Sequence, residues 1–214
     1  IIGFAILILF DLISVNLKYV NNDSFEKARN IEKPFQLNEI DKQILKDKSY
    51  YRVANFPSPL QDGRTSYFHN SIGGYHAAKM GRYQELFDYQ IAKNNMEVLN
   101  MLNTKYFIIP NQQGQTRAQI NPEANGAAWF VSDLKKVNSA DDEIMALDSL
   151  KTKNEAVINA SKFDVKNNFE KDSLATIKLT NYDVTTLIYE SNSTKNQFAV
   201  FSEIYYKDGW NAYV

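Results

Sequence analysis

The residues best suited to chemistry lie in one segment, residues 71–86, which reads SIGGYHAAKMGRYQEL. Its two adjacent glycines allow unusual backbone dihedrals and a close approach of the backbone to a ligand. Cations and tyrosines follow them, and an arginine can hold a phosphate or carboxylate through two parallel hydrogen bonds. Aromatic faces suit sugar rings. The segment therefore predicts a binding site for a phosphate or a sugar, and the candidate residues are Tyr75, His76, Lys79, Arg82 and Tyr83.

A structural interpretation of the same segment stays open. In that interpretation Gly73 and Gly74 form a tight turn that leads into a helix. Lys79 and Arg82 would then be solvated, and no ligand would be needed to explain them.

A second aromatic group lies near the end of the sequence and contains Tyr205, Tyr206, Trp210 and Tyr213. On an exposed hairpin these rings would stack on sugars or contact the membrane interface, where Trp and Tyr concentrate. On an inward face they would belong to the core. Trp210 is the ligand-binding candidate of this group.

The sequence offers no catalytic motif. It contains no P-loop, dinucleotide-binding, nucleophile-elbow or HExxH pattern. The only histidines, His69 and His76, do not have the spacing of metal ligands, and we expect structural roles for them. The absence of cysteine excludes disulfides and thiolate zinc sites. We therefore predict no catalytic residue, no metal site and no cofactor.

Composition narrows the class of protein further. The chain has 214 residues, of which 44% are hydrophobic and 23% charged, as in ordinary globular proteins. The net charge is -1, whereas nucleic-acid-binding proteins normally carry a basic excess that neutralises phosphates. We therefore expect no nucleic-acid partner.

The first residues are strongly apolar. Residues 1–10 carry no polar side chain, and apolar residues resume after Asp11 as far as Leu17. A membrane-spanning helix needs about 20 mostly apolar residues, so we interpret residues 1–17 as a truncated transmembrane helix. The alternative is a core helix or strand at a true N-terminus. Residues 18–36 are polar and of mixed charge, and we interpret them as a juxtamembrane connector.

Residues 37–110 alternate between helical and strand patterns, which is typical of a small α/β subdomain. Asn38 is the expected cap of the first helix, and residues 66–81 are expected to be irregular. The predicted helices are 39–47, 82–93 and 95–102, and the predicted strands are 50–56 and 105–109.

Residues 111–214 indicate a mostly antiparallel, sandwich-like β subdomain that is incomplete at its C-terminus. Residues 111–115 are expected to form a polar loop. Ser139 is expected to cap a helix that runs to Leu147. The predicted strands are 127–131, 175–180, 184–189 and 198–206, and a turn at 207–209 would lead into a further strand at 210–214. The fold class predicted for the whole chain is α+β.

Four strings carry a family resemblance: SIGGYHAAKMGRYQEL, VLNMLNTKYFII, AWFV and FSEIYYKDGWNAYV. In this order, over residues 50–214, they resemble the extracytoplasmic part of the YfhO family, which are large bacterial multi-pass membrane proteins, in a Bacteroidetes-type form. The resemblance implies a glycosyltransferase C-type architecture, in which a sugar passes from a polyprenyl-phosphate carrier to an acceptor outside the cytoplasm. The catalytic acid of that architecture belongs to an early loop that these residues do not contain.

Two functions follow from the resemblance as expectations. In the first, the chain is the extracytoplasmic domain of a glycosyltransferase-like protein of the bacterial inner membrane, acting on cell-envelope glycans. In the second, it is a non-catalytic carbohydrate- or envelope-binding module. In both, the expected partners are the membrane and a lipid-linked sugar or envelope glycan, and this part is not expected to be catalytic alone.

Overall fold

The computed structural model describes residues 2–57, 62–165, 168–170 and 172–214. The chain divides into two compact units, Ile1–Leu37 and Asn38–Val214. Ile1, which belongs to the predicted span, lies outside the described residues.

The first unit is built around an apolar helix, α1 (Ile2–Tyr19), in which no described residue is buried. At a rise of about 1.5 Å per residue, its 18 residues extend about 27 Å, close to the thickness of a bilayer core of about 30 Å. Within the described residues it is the one helix that by length and composition can cross a membrane. A short 3-10 helix (Asn22–Ser24) and helix α2 (Ala28–Glu32) follow, in the segment predicted as a connector.

The second unit begins with helix α3 (Glu39–Ile44), for which Asn38 is the predicted and observed cap. A three-stranded sheet follows in the order β1 (Arg52–Asn55), β2 (Thr104–Pro110) and β3 (Thr116–Ile120). β1 and β2 are parallel, and β2 and β3 are antiparallel. Parallel neighbours require a long crossover. The described part of this one carries α4 (Gly63–Phe68), α5 (Gly81–Tyr89), a 3-10 helix (Ile91–Lys93) and α6 (Met96–Met101).

The period of two along a strand gives this sheet two apolar faces. Ala54 and Phe107 point to one face, where they pack with residues of α5 and α6 such as Phe87 and Leu99. Val53, Tyr106 and Ile108 point to the other face and pack with Ile44 of α3. The central sheet is therefore covered by helices on both sides.

The remaining strands form three two-stranded sheets. β4 (Ala128–Val131) pairs with β9 (Phe198–Phe201), and β7 (Thr176–Tyr182) pairs with β8 (Leu187–Asn192), both antiparallel. β5 (Asp133–Val137) and β6 (Glu155–Asn159) are parallel and are joined through helix α7 (Ala140–Ala146). A third apolar cluster forms around Trp129, Val131 and Leu134. The predicted α+β class, with mostly antiparallel strand pairs, is confirmed.

Several local predictions were wrong. Residues 66–81 are not wholly irregular, because α4 extends to Phe68. The predicted polar loop at 111–115 is present, but strand β3, which follows it, was not predicted. The C-terminal hairpin is absent from the described residues: β9 ends at Phe201, and residues 210–214 form no strand. The Tyr206 carbonyl instead accepts hydrogen bonds from the amides of Gly209 and Trp210, so the turn closes on itself.

Candidate ligand-binding cleft

The glycine pair lies in an irregular stretch next to helix α4. Gly74 has a φ of +123°, and a Cβ at this position would lie 2.8 Å from the Ser66 Oγ. The Gly73 amide donates a hydrogen bond to the Ser71 Oγ at 3.1 Å. The hydroxyl of Tyr83, on α5, donates to the Ile72 carbonyl at 2.5 Å. This stretch is therefore tied to the helix that follows it.

The candidates between this turn and α5 do not converge. Tyr75 is 82% exposed, and His76 is exposed, with its Nδ1 accepting a hydrogen bond from the Ala78 amide at 3.1 Å. Lys79 is half-buried, and within the described part of the chain it makes no hydrogen bond or ion pair. None of these three residues lines the cleft described next.

Arg82 and Tyr83 do line a cleft, of about 220 Å³. One wall is formed by α5 and the end of α6, and the other by β9 and the chain that follows it, as far as Tyr205. The floor includes Trp129 of β4. The apolar lining residues are Leu86, Met101, Leu102, Trp129, Val200, Phe201 and Ile204.

Of the second predicted aromatic group, Tyr205 lines the cleft. Tyr205 lies at the rim of the cleft and is 68% exposed. Trp210 is not a lining residue, and its indole Nε1 donates to the Ile204 carbonyl at 3.2 Å. Tyr213 is 90% exposed. Residues more than 115 positions apart in the sequence, such as Tyr83 and Tyr205, thus line one cavity.

The polar part of the cleft was not predicted. Glu203 lines it, with a side chain that is 17% exposed. The Glu203 Oε1 accepts a hydrogen bond from the Tyr50 hydroxyl at 2.7 Å, and the Oε2 accepts one from the Arg52 Nη2 at 3.3 Å. The Arg52 Nη1 donates to two carbonyls, of Leu102 at 2.9 Å and of Ser202 at 2.7 Å. A buried guanidinium therefore fixes one carboxylate at the cleft.

Tyrosines surround this ion pair. Burial raises the pKa of the Tyr50 hydroxyl; the nearby Arg52 charge opposes this shift, and the hydrogen bond to Glu203 adds to it. Burial also raises the pKa of Tyr83 and of Tyr189 to about 12. These hydroxyls are protonated at neutral pH, and those of Tyr50 and Tyr83 donate hydrogen bonds. The Tyr189 hydroxyl is buried and has no partner in the described part of the chain.

At the opposite rim, Arg82 is exposed. Its Nη2 lies 2.8 Å from the Glu143 Oε2, which belongs to α7. The hydroxyl of Ser202, another lining residue, donates to the Ala127 carbonyl at 3.3 Å. Within the described lining, the hydroxyls of Ser202 and Tyr83 thus donate to backbone carbonyls and not to a general base.

A second polar cluster lies away from the cleft. The buried carboxylate of Asp41 accepts hydrogen bonds from Arg64 and from the Asn38 amide, and the His69 Nε2 lies 3.2 Å from it. Burial acts to raise the pKa of Asp41, but the hydrogen bonds from Arg64, Asn38 and His69 outweigh it and lower the pKa overall. His69 is thus part of a network that joins α3 to α4.

In the described part of the chain, no group of three or more His, Cys, Asp or Glu side chains could hold a metal ion. Comparisons with models of known families, with curated proteins and with solved structures found no match. The cleft is therefore interpreted from its own residues.

Sequence reasoning missed Arg52 and Glu203 although both carry a local signal. Arg52 is a charged residue inside an apolar strand, Tyr51-Arg52-Val53-Ala54, where an unpaired charge is costly. Glu203 follows three apolar residues, Ala199, Val200 and Phe201, and Ser202. Each signal indicates a buried partner, but the pairing between them depends on the fold.

Proposed function

We propose that this chain is the extracytoplasmic domain of a membrane-embedded, glycosyltransferase-like protein of the YfhO type, and that its cleft holds an envelope glycan. One observation supports this most: all four family-like strings contribute lining residues to the cleft, for example Tyr83 from the first and Glu203 and Tyr205 from the last.

The chemistry of the lining suits a sugar. Sugar rings present apolar C–H faces and a rim of hydroxyls. The floor, with Trp129 and Leu86, and the exposed ring of Tyr205 match the faces. A carboxylate held by Arg52 and Tyr50 matches the hydroxyls, since charged acceptors form the stronger hydrogen bonds.

The proposal assigns binding to the cleft and sugar transfer to a centre outside these residues. The family resemblance implies that the donor is a polyprenyl-phosphate sugar. It also implies that the protein belongs to the bacterial inner membrane, with this domain on the outer side. The apolar helix α1, which is long enough to cross a membrane, supports a membrane location.

The proposal is tested by measuring glycan binding to the full chain in lipid nanodiscs, with a panel of immobilised bacterial envelope glycans. Tyr205→Ala removes a rim ring and is expected to weaken binding about three- to tenfold. Tyr213→Ala is the matched control, because Tyr213 belongs to the same segment, is exposed and does not line the cleft.

Binding that falls with Tyr205→Ala and not with Tyr213→Ala supports the cleft as the site. Absence of binding to every glycan, or equal loss in both variants, contradicts it. Loss with Tyr75→Ala alone would move the site to the exposed turn after Gly74.

The second candidate is a carbohydrate- or envelope-binding module that takes no part in sugar transfer. It is favoured by the described lining hydroxyls of Tyr83 and Ser202, which donate to backbone carbonyls and not to a general base. The two candidates differ in cells: cleft variants that lose glycan binding stop envelope glycosylation under the first and leave it unchanged under the second.

A further inference from the structure

The cleft has one carboxylate among its described lining residues, that of Glu203. Its two oxygens are held from different elements, by the Tyr50 hydroxyl at 2.7 Å and the Arg52 guanidinium at 3.3 Å. Arg52 is buried and bonded to two backbone carbonyls, so it cannot follow a moving partner. The orientation of the Glu203 carboxylate is therefore set before any ligand arrives.

This carboxylate keeps unused acceptor capacity. An ionised carboxylate offers about four lone-pair sites, and protein donors occupy two of them here. Because the side chain lines the cleft, the remaining capacity is available to donors on a ligand. A ligand with two neighbouring hydroxyls supplies such donors without bringing a charge.

The two arginines at the cleft already have carboxylate partners. Arg82 already faces the Glu143 carboxylate at 2.8 Å, and the Arg52 guanidinium is shared by Glu203 and two carbonyls. An acidic group on a ligand would have to compete with Glu143 for Arg82 within the same 220 Å³ that holds Glu203. Like charges at close range in a partly buried site repel strongly.

The size of the cleft limits what enters it. Its 220 Å³ lies below the range of about 300–1,000 Å³ that is usual for drug-sized ligands. One ring fits this space better than an extended chain does, and the exposed Tyr205 ring is available to cover one of its faces.

We infer that the cleft selects a single neutral hexose unit, with two neighbouring hydroxyls donating to Glu203 and one ring face against Tyr205. This inference rests on the proposed glycan-binding function and specifies the class of its ligand. Acidic sugars, such as uronic acids, are rejected by the same carboxylate.

The test measures binding of soluble probes to the full chain in lipid nanodiscs by saturation-transfer NMR and calorimetry. The probes are the methyl glycosides of glucose, galactose and mannose, and the methyl glycoside of glucuronic acid. At least one neutral glycoside is expected to bind, and the glucuronide at least about tenfold more weakly, since it places a second carboxylate near Glu203.

Variants test the role of Glu203. Glu203→Gln is expected to weaken neutral binding about tenfold, as for the loss of a charged acceptor. Because this variant leaves Arg52 without its carboxylate, Tyr50→Phe is the second test: it removes only the hydroxyl that holds Glu203 and is expected to weaken binding severalfold. Tyr213→Phe is the matched control, because it also removes one tyrosine hydroxyl, but from an exposed residue that does not line the cleft, and binding should not change.

Three results would each overturn a different statement: the neutral ligand, the role of Glu203, and glycan binding itself. A glucuronide that binds more tightly than every neutral glycoside, and loses affinity with Arg82→Ala, overturns the neutral-ligand inference and leaves glycan binding intact. Neutral binding that is unchanged in both Glu203→Gln and Tyr50→Phe overturns the role of Glu203. No binding of any probe, together with no binding to envelope glycans, overturns the proposed function itself.

Discussion

Arg52 connects the core of the second unit to its cleft. The residue comes from β1, and its guanidinium bonds to Leu102 after α6 and to Ser202 and Glu203 after β9. A single side chain thus joins three parts of the sequence that lie 50 and 150 positions apart. Because a buried charge needs its partners, this residue fixes where the chain after β9 must lie.

At the residue scale we predict that Arg52→Met is strongly destabilising. It leaves the Glu203 carboxylate and two carbonyls without their donor, and breaking a buried pair from one side costs about 3–5 kcal/mol. The loss is measured as the shift in the urea midpoint of the full chain. Lys151→Met is the control: its pair with Glu97 spans 3.6 Å and its side chain is largely exposed, so the change should stay within about 1 kcal/mol. Equal shifts in the two variants would contradict the structural role of Arg52.

How far single residues could be predicted depended on the element that carries them. Arg82 and Tyr83 lie on α5, where helical periodicity sets directions, and Tyr83 and Leu86 recur on one face as expected. Tyr75, His76 and Lys79 lie in an irregular segment, where residue type alone gives no direction, and they do not reach the cleft. The position of Glu203 at the cleft depends on the pairing of β9 with β4. No local sequence pattern specifies that pairing.

Among the elements, the irregular stretch at Gly73 and Gly74 directly precedes the first residues of the cleft. It follows the short bridge between Ser71 and Val53 of β1, and Gly74 lies against Ser66 of α4. Tyr83 then bonds back to Ile72, so the first turn of α5 is fixed to the edge of the central sheet. The position of Arg82 at the rim follows from this connection.

We therefore predict that Gly74→Ala is destabilising. A φ of +123° is disfavoured for any residue with a Cβ, and the new methyl would lie 2.8 Å from the Ser66 Oγ, so a cost of about 1–3 kcal/mol is expected. The midpoint of urea unfolding measures it. Gly81→Ala is the control: nothing lies within 4 Å of its Cβ, and alanine favours the helix, so stability should hold or rise.

Adding Ser66→Ala to Gly74→Ala separates the two causes. It removes the contact with the Oγ and leaves the backbone strain, so only part of the lost stability should return. Full recovery would mean that the contact alone, and not the positive φ, requires glycine.

Elements with local signals were predicted well, and those set by distant pairing were not. Asn38 and Ser139 cap α3 and α7 as expected, because a cap depends on residues three positions apart. β3 was missed because Thr116–Ile120 is mostly exposed and lacks an apolar alternation. The prediction of a C-terminal hairpin was wrong because β9 pairs with β4, about 70 positions earlier, and not with a strand that follows it.

At the scale of the whole molecule, composition and periodicity were sufficient for the α+β class. They could not give the sheet order, since the order β1-β2-β3 depends on a crossover of nearly 50 residues. The apolar character of α1 was evident from its residues alone. Its exposure along the full length agrees with a helix whose natural surroundings are apolar.

Helix α1 is expected to anchor the chain in a membrane. The full chain is expected to float with liposomes and to need detergent for release, because α1 is apolar over about 27 Å. Ile6→Lys with Leu9→Lys is expected to abolish flotation, since each lysine near the centre of a bilayer costs about 3 kcal/mol. Asn22→Lys with Asn30→Lys adds the same charge outside α1 and should float as before. Flotation that survives the lysines in α1 would assign membrane binding to another part of the chain and not to the apolar helix.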